Sequence, residues 1–189
     1  VQGKEASLSE TMIRGSLWSI WKVREPFLFI TLAAGFLGGL LIEGFEETLA
    51  AIIGVAFFIP VVMDMGGNVG TQSSTVFARG IVLGHIETKK FGKFLLKEVS
   101  VGLSMGVIFG SISAVIAGFW QGDMRLGMAV GFAVMFTMTL AAALGFLVPF
   151  LLVKLRLDQA AGSAPLITSI KDIAGLLIYF LAVNTFMGL

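Results

Sequence analysis

The 189-residue sequence contains no cysteine and a single histidine, His85. Disulfides and thiolate metal sites are therefore excluded, and most imidazole chemistry with them. Charge is scarce too, with Asp, Glu, Lys and Arg at 13% of the residues, about half the share of an ordinary globular domain. Val1–Glu25 is polar and has no apolar core of the kind a cleavable signal peptide needs. The net charge of +1 carries no information about partners, and no nucleic-acid partner is expected. The first residue is not Met, and the expectation is a fragment of something longer.

Apolar residues fill the space that charge leaves. They make up 57% of the chain, mean hydropathy is +0.96, and they fall into runs too long for a soluble core. The fold class expected is an all-α membrane protein with five transmembrane helices. The spans read as Pro26–Ile42, Thr48–Met65 continuing into a polar stretch, Val99–Phe119, Arg125–Val153 and Pro165–Leu189, each near the roughly 20 residues that cross a bilayer. Pro26 suits a first helical turn, where its missing N–H costs nothing. Pro60 and Pro149 fall inside spans, where they should kink the helix and free carbonyls.

Basic residues divide between the two ends of these spans. Lys4, Arg14, Lys22 and Arg24 precede the first; Arg79, Lys89, Lys90, Lys93 and Lys97 fall in or beside the second loop; Lys154 and Arg156 fall in the fourth. Of the 13 Lys and Arg, only Arg125 and Lys171 lie elsewhere. By the positive-inside rule the N-terminus is cytoplasmic, and five spans leave the C-terminus outside. Leu8–Arg24, with two tryptophans among charged residues, reads as an amphipathic helix along the cytoplasmic interface. Two regions result: an interfacial helix or linker over 1–25 and a five-helix transmembrane unit over 26–189. Gly102, Gly106, Gly110, Ala114 and Gly118 recur every fourth residue and permit close helix packing.

The most informative stretch is FFIPVVMDMGGNVGTQSSTVFARGIVLG, Phe57–Gly84. On a 3.6-residue period Asp64, Asn68, Thr71, Gln72, Thr75 and Arg79 form one polar stripe, which must face protein or water. The Gly66, Gly67 and Gly70 cluster with Asn68 and Gln72 reads equally as packing glue or as a place where oxygens approach a hard cation. Asp64 fits a structural pairing with Lys171 or a neighbouring amide as well as a functional role. Asp172 lies well inside the last span, where an ionised carboxylate costs about 2.5–3.5 kcal/mol unless it meets water or a counter-charge. Lys171 stands beside it, and an ion pair between the two is the alternative, purely structural reading. Adjacent helical residues point about 100° apart, so the two should face different surroundings. Arg79 reads as the end of its helix and His85 as a bystander.

IPVVMDMGGNVGTQSSTVFARGIVLG in the second span and APLITSIKDIAGLLIYF in the fifth resemble the MgtE magnesium channels, and the resemblance extends over nearly the whole chain from Trp18. It implies a homodimer in the lipid bilayer with one pore on its two-fold axis, lined by the second and fifth spans. Asp172 would be the pore acid, the Thr168 carbonyl one turn earlier would help to hold the ion, and Asn68 and Asp64 would be secondary metal sites. Mg²⁺ would be the transported ion, bound largely hydrated, and the protein would be no enzyme. Two departures stand out. The N and CBS domains common in the family have no counterpart in these residues, and Lys171 and Ala164 flank the ion site unusually. A secondary transporter exchanging Mg²⁺ with Na⁺ or H⁺, with Asp64 as coupling group, uses the same residues. An intramembrane aspartyl protease would also need two acids, but the surrounding sequence lacks the contexts such enzymes carry.

Overall fold

In the computed structural model, residues 10–87, 90–155, 157 and 159–189 are described. Lys4, Lys89, Arg156 and the start of the expected interfacial helix lie outside the described residues. A helical turn over 10–14 is followed by Ser16, whose Oγ accepts from the Ser19 amide at 3.3 Å and caps α1, Leu17–Glu43. A short α2, Glu46–Ala51, leads into α3, Gly54–Val82. Then come α4, Phe91–Gln121, α5, Met124–Lys154, and α6, Gln159–Met187. Five of these, α1 and α3 to α6, are long and apolar enough to cross a bilayer. No strand occurs among the described residues.

Four boundaries differ from the sequence reading: α6 starts at Gln159 and carries Pro165 inside it, and three others differ for physical reasons. The first helix begins at Leu17 rather than Pro26, because a proline in mid-helix forfeits one hydrogen bond while the Ser16 cap gains one. Trp18 and Trp21 stack at 5.1 Å on that extension, with the Lys22 ammonium 5.4 Å over Trp18. Such a cluster suits a membrane–water interface. The second span begins at Gly54, since Ile52 leaves helical geometry and separates α2 from α3. The third begins at Phe91, so α4 takes up residues expected in the loop. Both α3 and α5 run through Pro60 and Pro149 as continuous helices. Near Pro60 the Val55 carbonyl accepts the fully buried Tyr179 hydroxyl at 2.8 Å, which ties α3 to α6.

α5 is the hub. It packs against α3, α4 and α6, and its buried residues run its whole length, from Leu126 to Leu152. α1 rests on α6. The outward faces of α1 and α4 are apolar and exposed, Phe36, Leu40, Ile116 and Phe119 among them, as surfaces turned to lipid must be. Where α4 meets α5 the glycine ladder brings backbone against backbone. A Cβ at Gly106 would lie 2.7 Å from the Met135 carbonyl oxygen, and one at Gly131 would lie 2.6 Å from that of Gly110. Close approach of this kind strengthens packing where no hydrophobic effect drives helices together. Gly106→Leu is expected to cost about 3 kcal/mol or more, because backbone atoms cannot move aside. Gly35→Leu, at a position with open space around it, should be close to neutral. Thermal unfolding of both variants in detergent checks the contrast, and equal midpoints would contradict it.

Candidate functional site

α3 has two unlike faces. Val55, Phe58, Val62, Val69 and Phe77 are buried on one. On the other, Asp64, Asn68, Thr71, Gln72, Thr75 and Arg79 are all exposed, so the rest of the chain leaves the whole polar stripe uncovered. Part of its polarity is satisfied within the helix. Asn68 Nδ2 donates to Asp64 Oδ2 at 3.0 Å, and Thr71 and Thr75 donate to the carbonyls of Gly67 and Thr71. The partner of Asp64 is thus the neighbouring amide. Because the amide donates its N–H₂, its own oxygen stays free on the same face as the second carboxylate oxygen.

Lys171 takes up the space beside the glycines. Its residue is 3% exposed, with its stem laid along α3: a Cβ at Gly66 would sit 2.6 Å from Thr137 Cγ2 and 3.0 Å from Lys171 Cδ. At Gly70 a Cβ would meet Ile167 Cγ2 at 2.9 Å. Gly66 and Gly70 therefore make room for side chains of α5 and α6, which accounts for them by packing. The Lys171 ammonium donates to the Met63 carbonyl at 2.7 Å and pairs with Asp172 Oδ1 at 2.5 Å. The two side chains do lie in different surroundings, 4% and 38% exposed. They meet nonetheless, because the long lysine stem bends back along the helix. The ammonium is enclosed, and the carboxylate keeps an open side.

Thr168, one turn before Asp172 on α6, is half-buried and lines a cavity of about 700 Å³ between α3 and α6. Thr71, Ser74 and Thr75 form the opposite wall, with Arg24 and Gln159 at the margin. Ser163, another wall residue, has a buried hydroxyl without a partner among the described residues, as beside a hydrated space. Two groupings therefore emerge, Thr168 with the hydroxyls of α3 and Asp172 with Lys171 and Met63. No hydrogen bond or ion pair joins Asp172 to Asp64 or Asn68 among the described residues, and no three His, Cys, Asp or Glu side chains come together among them. Sequence reasoning missed the Met63 carbonyl and the Ser163 hydroxyl. A main-chain oxygen and a lone serine carry no pattern that would single them out.

A family profile for MgtE, described as a divalent cation transporter, matches residues 59–182. The chain is 33% identical over 161 residues to the magnesium transporter MgtE of Thermus thermophilus, covering 85% of this chain and 36% of that protein. It is 34% identical to the Bacillus subtilis magnesium transporter MgtE over 157 residues, and 34% identical to that of Enterococcus faecalis over 164. These cover 83% and 87% of this chain, and 35% and 36% of those proteins. The chain thus spans about a third of the length of the curated relatives it matches. The matched region begins at Ile59 and ends at Ala182, so it holds the polar face of α3, the glycine ladder and the Lys171–Asp172 pair. The chain is a multi-pass membrane protein and belongs to the MgtE family of divalent cation transporters.

Proposed function

We propose that two copies of the chain form a passive, Mg²⁺-selective pore on a two-fold axis, lined by α3 and α6. The observation that carries this reading is the uncovered polar face of α3, on a helix long and apolar enough to span a bilayer, with Thr168 of α6 lining the same cavity as Thr71 and Thr75 and half-buried Asp172 one turn further along α6. Such a face is costly in lipid and needs water or a second copy against it. The relatives are magnesium transporters, which supports Mg²⁺ as the cargo. The basic ends of the helices face the cytoplasm, so the N-terminus is inside and the C-terminus outside.

Mg²⁺ loses its water reluctantly, so oxygens that hold its water shell suit it better than a dry cage. Asp172 appears twice around the axis and presents its open oxygen to the hydrated ion, while Lys171 draws on the other. Thr168 adds a carbonyl and a hydroxyl one turn away. Asp64 and Asn68 add further oxygens on the stripe and act as a secondary holding point. All donors are hard oxygens, which disfavours softer metals. An inward-negative potential contributes about 4.6 kcal/mol per 100 mV to a double charge crossing the full field, so entry needs no coupled ion.

Flux from proteoliposomes tests the reading. Mg²⁺ should enter along its own gradient with Na⁺ and pH equal on both sides, and the active species should have the mass of a dimer. A strict need for a Na⁺ or H⁺ gradient would instead favour coupled exchange through Asp64. Transport by a monomer would remove the pore on the axis.

A further inference from the structure

The basic end of the bundle holds a second cavity, of about 410 Å³, which shares only Thr75 with the larger one. It lies between the last turns of α3, the first turns of α4 and the loop that joins them. Arg79 comes from α3, His85 from the loop, and Lys97 and Glu98 from α4, while Phe94 and Phe146 supply apolar wall. The first residues of the loop are held in place. Gly84 turns the chain at φ 71°, and the His85 and Ile86 amides both donate to the Gly80 carbonyl, at 2.8 and 3.1 Å.

Charge in this cavity is unbalanced. Glu98 is its one carboxylate, and it already accepts from the buried Ser73 hydroxyl at 2.6 Å. Arg79 and Lys97 form no ion pair among the described residues. Two fixed cations, with an imidazole beside them, are thus left to meet one anion that has a partner of its own. Val76, in the wall, is 55% exposed, and Leu96, next to Lys97, is 69% exposed. Val76 thus sets exposed apolar surface in the wall of the charged site, and Leu96 adds more on the same turn of α4 as Lys97, as acyl chains would need.

We infer that this cleft binds the phosphate of an anionic membrane lipid, with Arg79 and Lys97 as the cationic contacts, His85 as a further donor and the chains lying along Val76 and Leu96. Guanidinium and ammonium groups together suit a phosphate: the first offers a planar fork, the second a point charge. Basic pockets between helices at a membrane interface take such headgroups. Thr75 and Arg79 belong to the same polar stripe of α3, but Asp64, Asn68, Thr168 and Asp172 all lie outside this cleft, so lipid retention is tested apart from the ion-holding residues.

Native mass spectrometry of the chain, supplied with phosphatidylglycerol or phosphatidylcholine of matched chains, tests the inference. One phosphatidylglycerol per chain should be retained in clear preference to phosphatidylcholine. Each cation removed should weaken retention about fivefold, so R79A/K97A should lose about 25-fold. K22A/K154A removes the same charge from exposed positions outside the cleft and should leave retention as it is. Equal retention of both lipids by the unaltered chain would overturn the inference, as would equal losses in the two double variants. Displacement of phosphatidylglycerol by inorganic phosphate in excess would assign the site to a free anion and overturn the lipid as its source.

Discussion

Asp172→Asn is expected to abolish the preference for divalent cations and, unlike an ordinary pore substitution, to weaken the fold as well. The transport effect follows from charge: the proposed two-fold pore would lose two carboxylates at one level, and the amide that replaces each cannot offset the ion's double charge. The stability effect follows from Lys171. Its ammonium is almost fully enclosed and, among the described residues, held by Asp172 Oδ1 and the Met63 carbonyl. Removing one partner of a buried pair costs about 3–5 kcal/mol, and the open side of Asp172 puts this case at the lower end, about 3 kcal/mol. K171M/D172N takes away the stranded charge along with the acid. It should recover most of the lost stability and none of the selectivity. An inert hexaammine complex shaped like hydrated Mg²⁺ should block the unaltered pore and block D172N and K171M/D172N less. Thermal unfolding and flux with the blocker present separate the two effects. Unaltered divalent selectivity in K171M/D172N would place the filter elsewhere, with Asp64 and Asn68 next in line.

The pattern of this sequence discloses what depends on period and leaves out what depends on reach. The stripe from Asp64 to Arg79 and the ladder from Gly102 to Gly118 are properties of one helix, and both are present as read. Five spans follow from hydropathy over lengths that a bilayer fixes. The roles of Gly66 and Gly70 depend on what α5 and α6 bring against them, which a single helix cannot state. Angular spacing placed Lys171 and Asp172 apart because it treats a side chain as a direction from Cα. Four methylenes let the ammonium fold back onto its neighbour, and the Met63 carbonyl that fixes its position is a main-chain group. Pro26 misled for a related reason. Its preference for a first turn is a local tendency, and a capped helix that began at Ser16 could carry it inside.

The same pairing bears on permeation, since a pore must bind its ion well enough to admit it and weakly enough to let it go. In the proposed two-fold pore, a hydrated ion on the axis would meet the half-exposed carboxylate first and the enclosed ammonium at a greater distance, so the site would attract the ion but be partly compensated. Lys171→Met keeps a flexible stem of similar length and removes that compensation. At the separation of an ion from an ammonium one side chain away, in a partly hydrated site, the repulsion relieved is on the order of 1–2 kcal/mol, or about tenfold in affinity. K171M should therefore bind Mg²⁺ about tenfold more tightly and pass it more slowly, with flux saturating at lower Mg²⁺ concentration. Its loss of stability should be smaller than that of D172N, because a carboxylate 38% exposed can be solvated from its open side. Mg²⁺ concentration dependence of flux in proteoliposomes is the measurement. A K171M variant that saturates at the same concentration as the unaltered chain would show that the ammonium lies outside the ion's field and serves only to join α3 to α6.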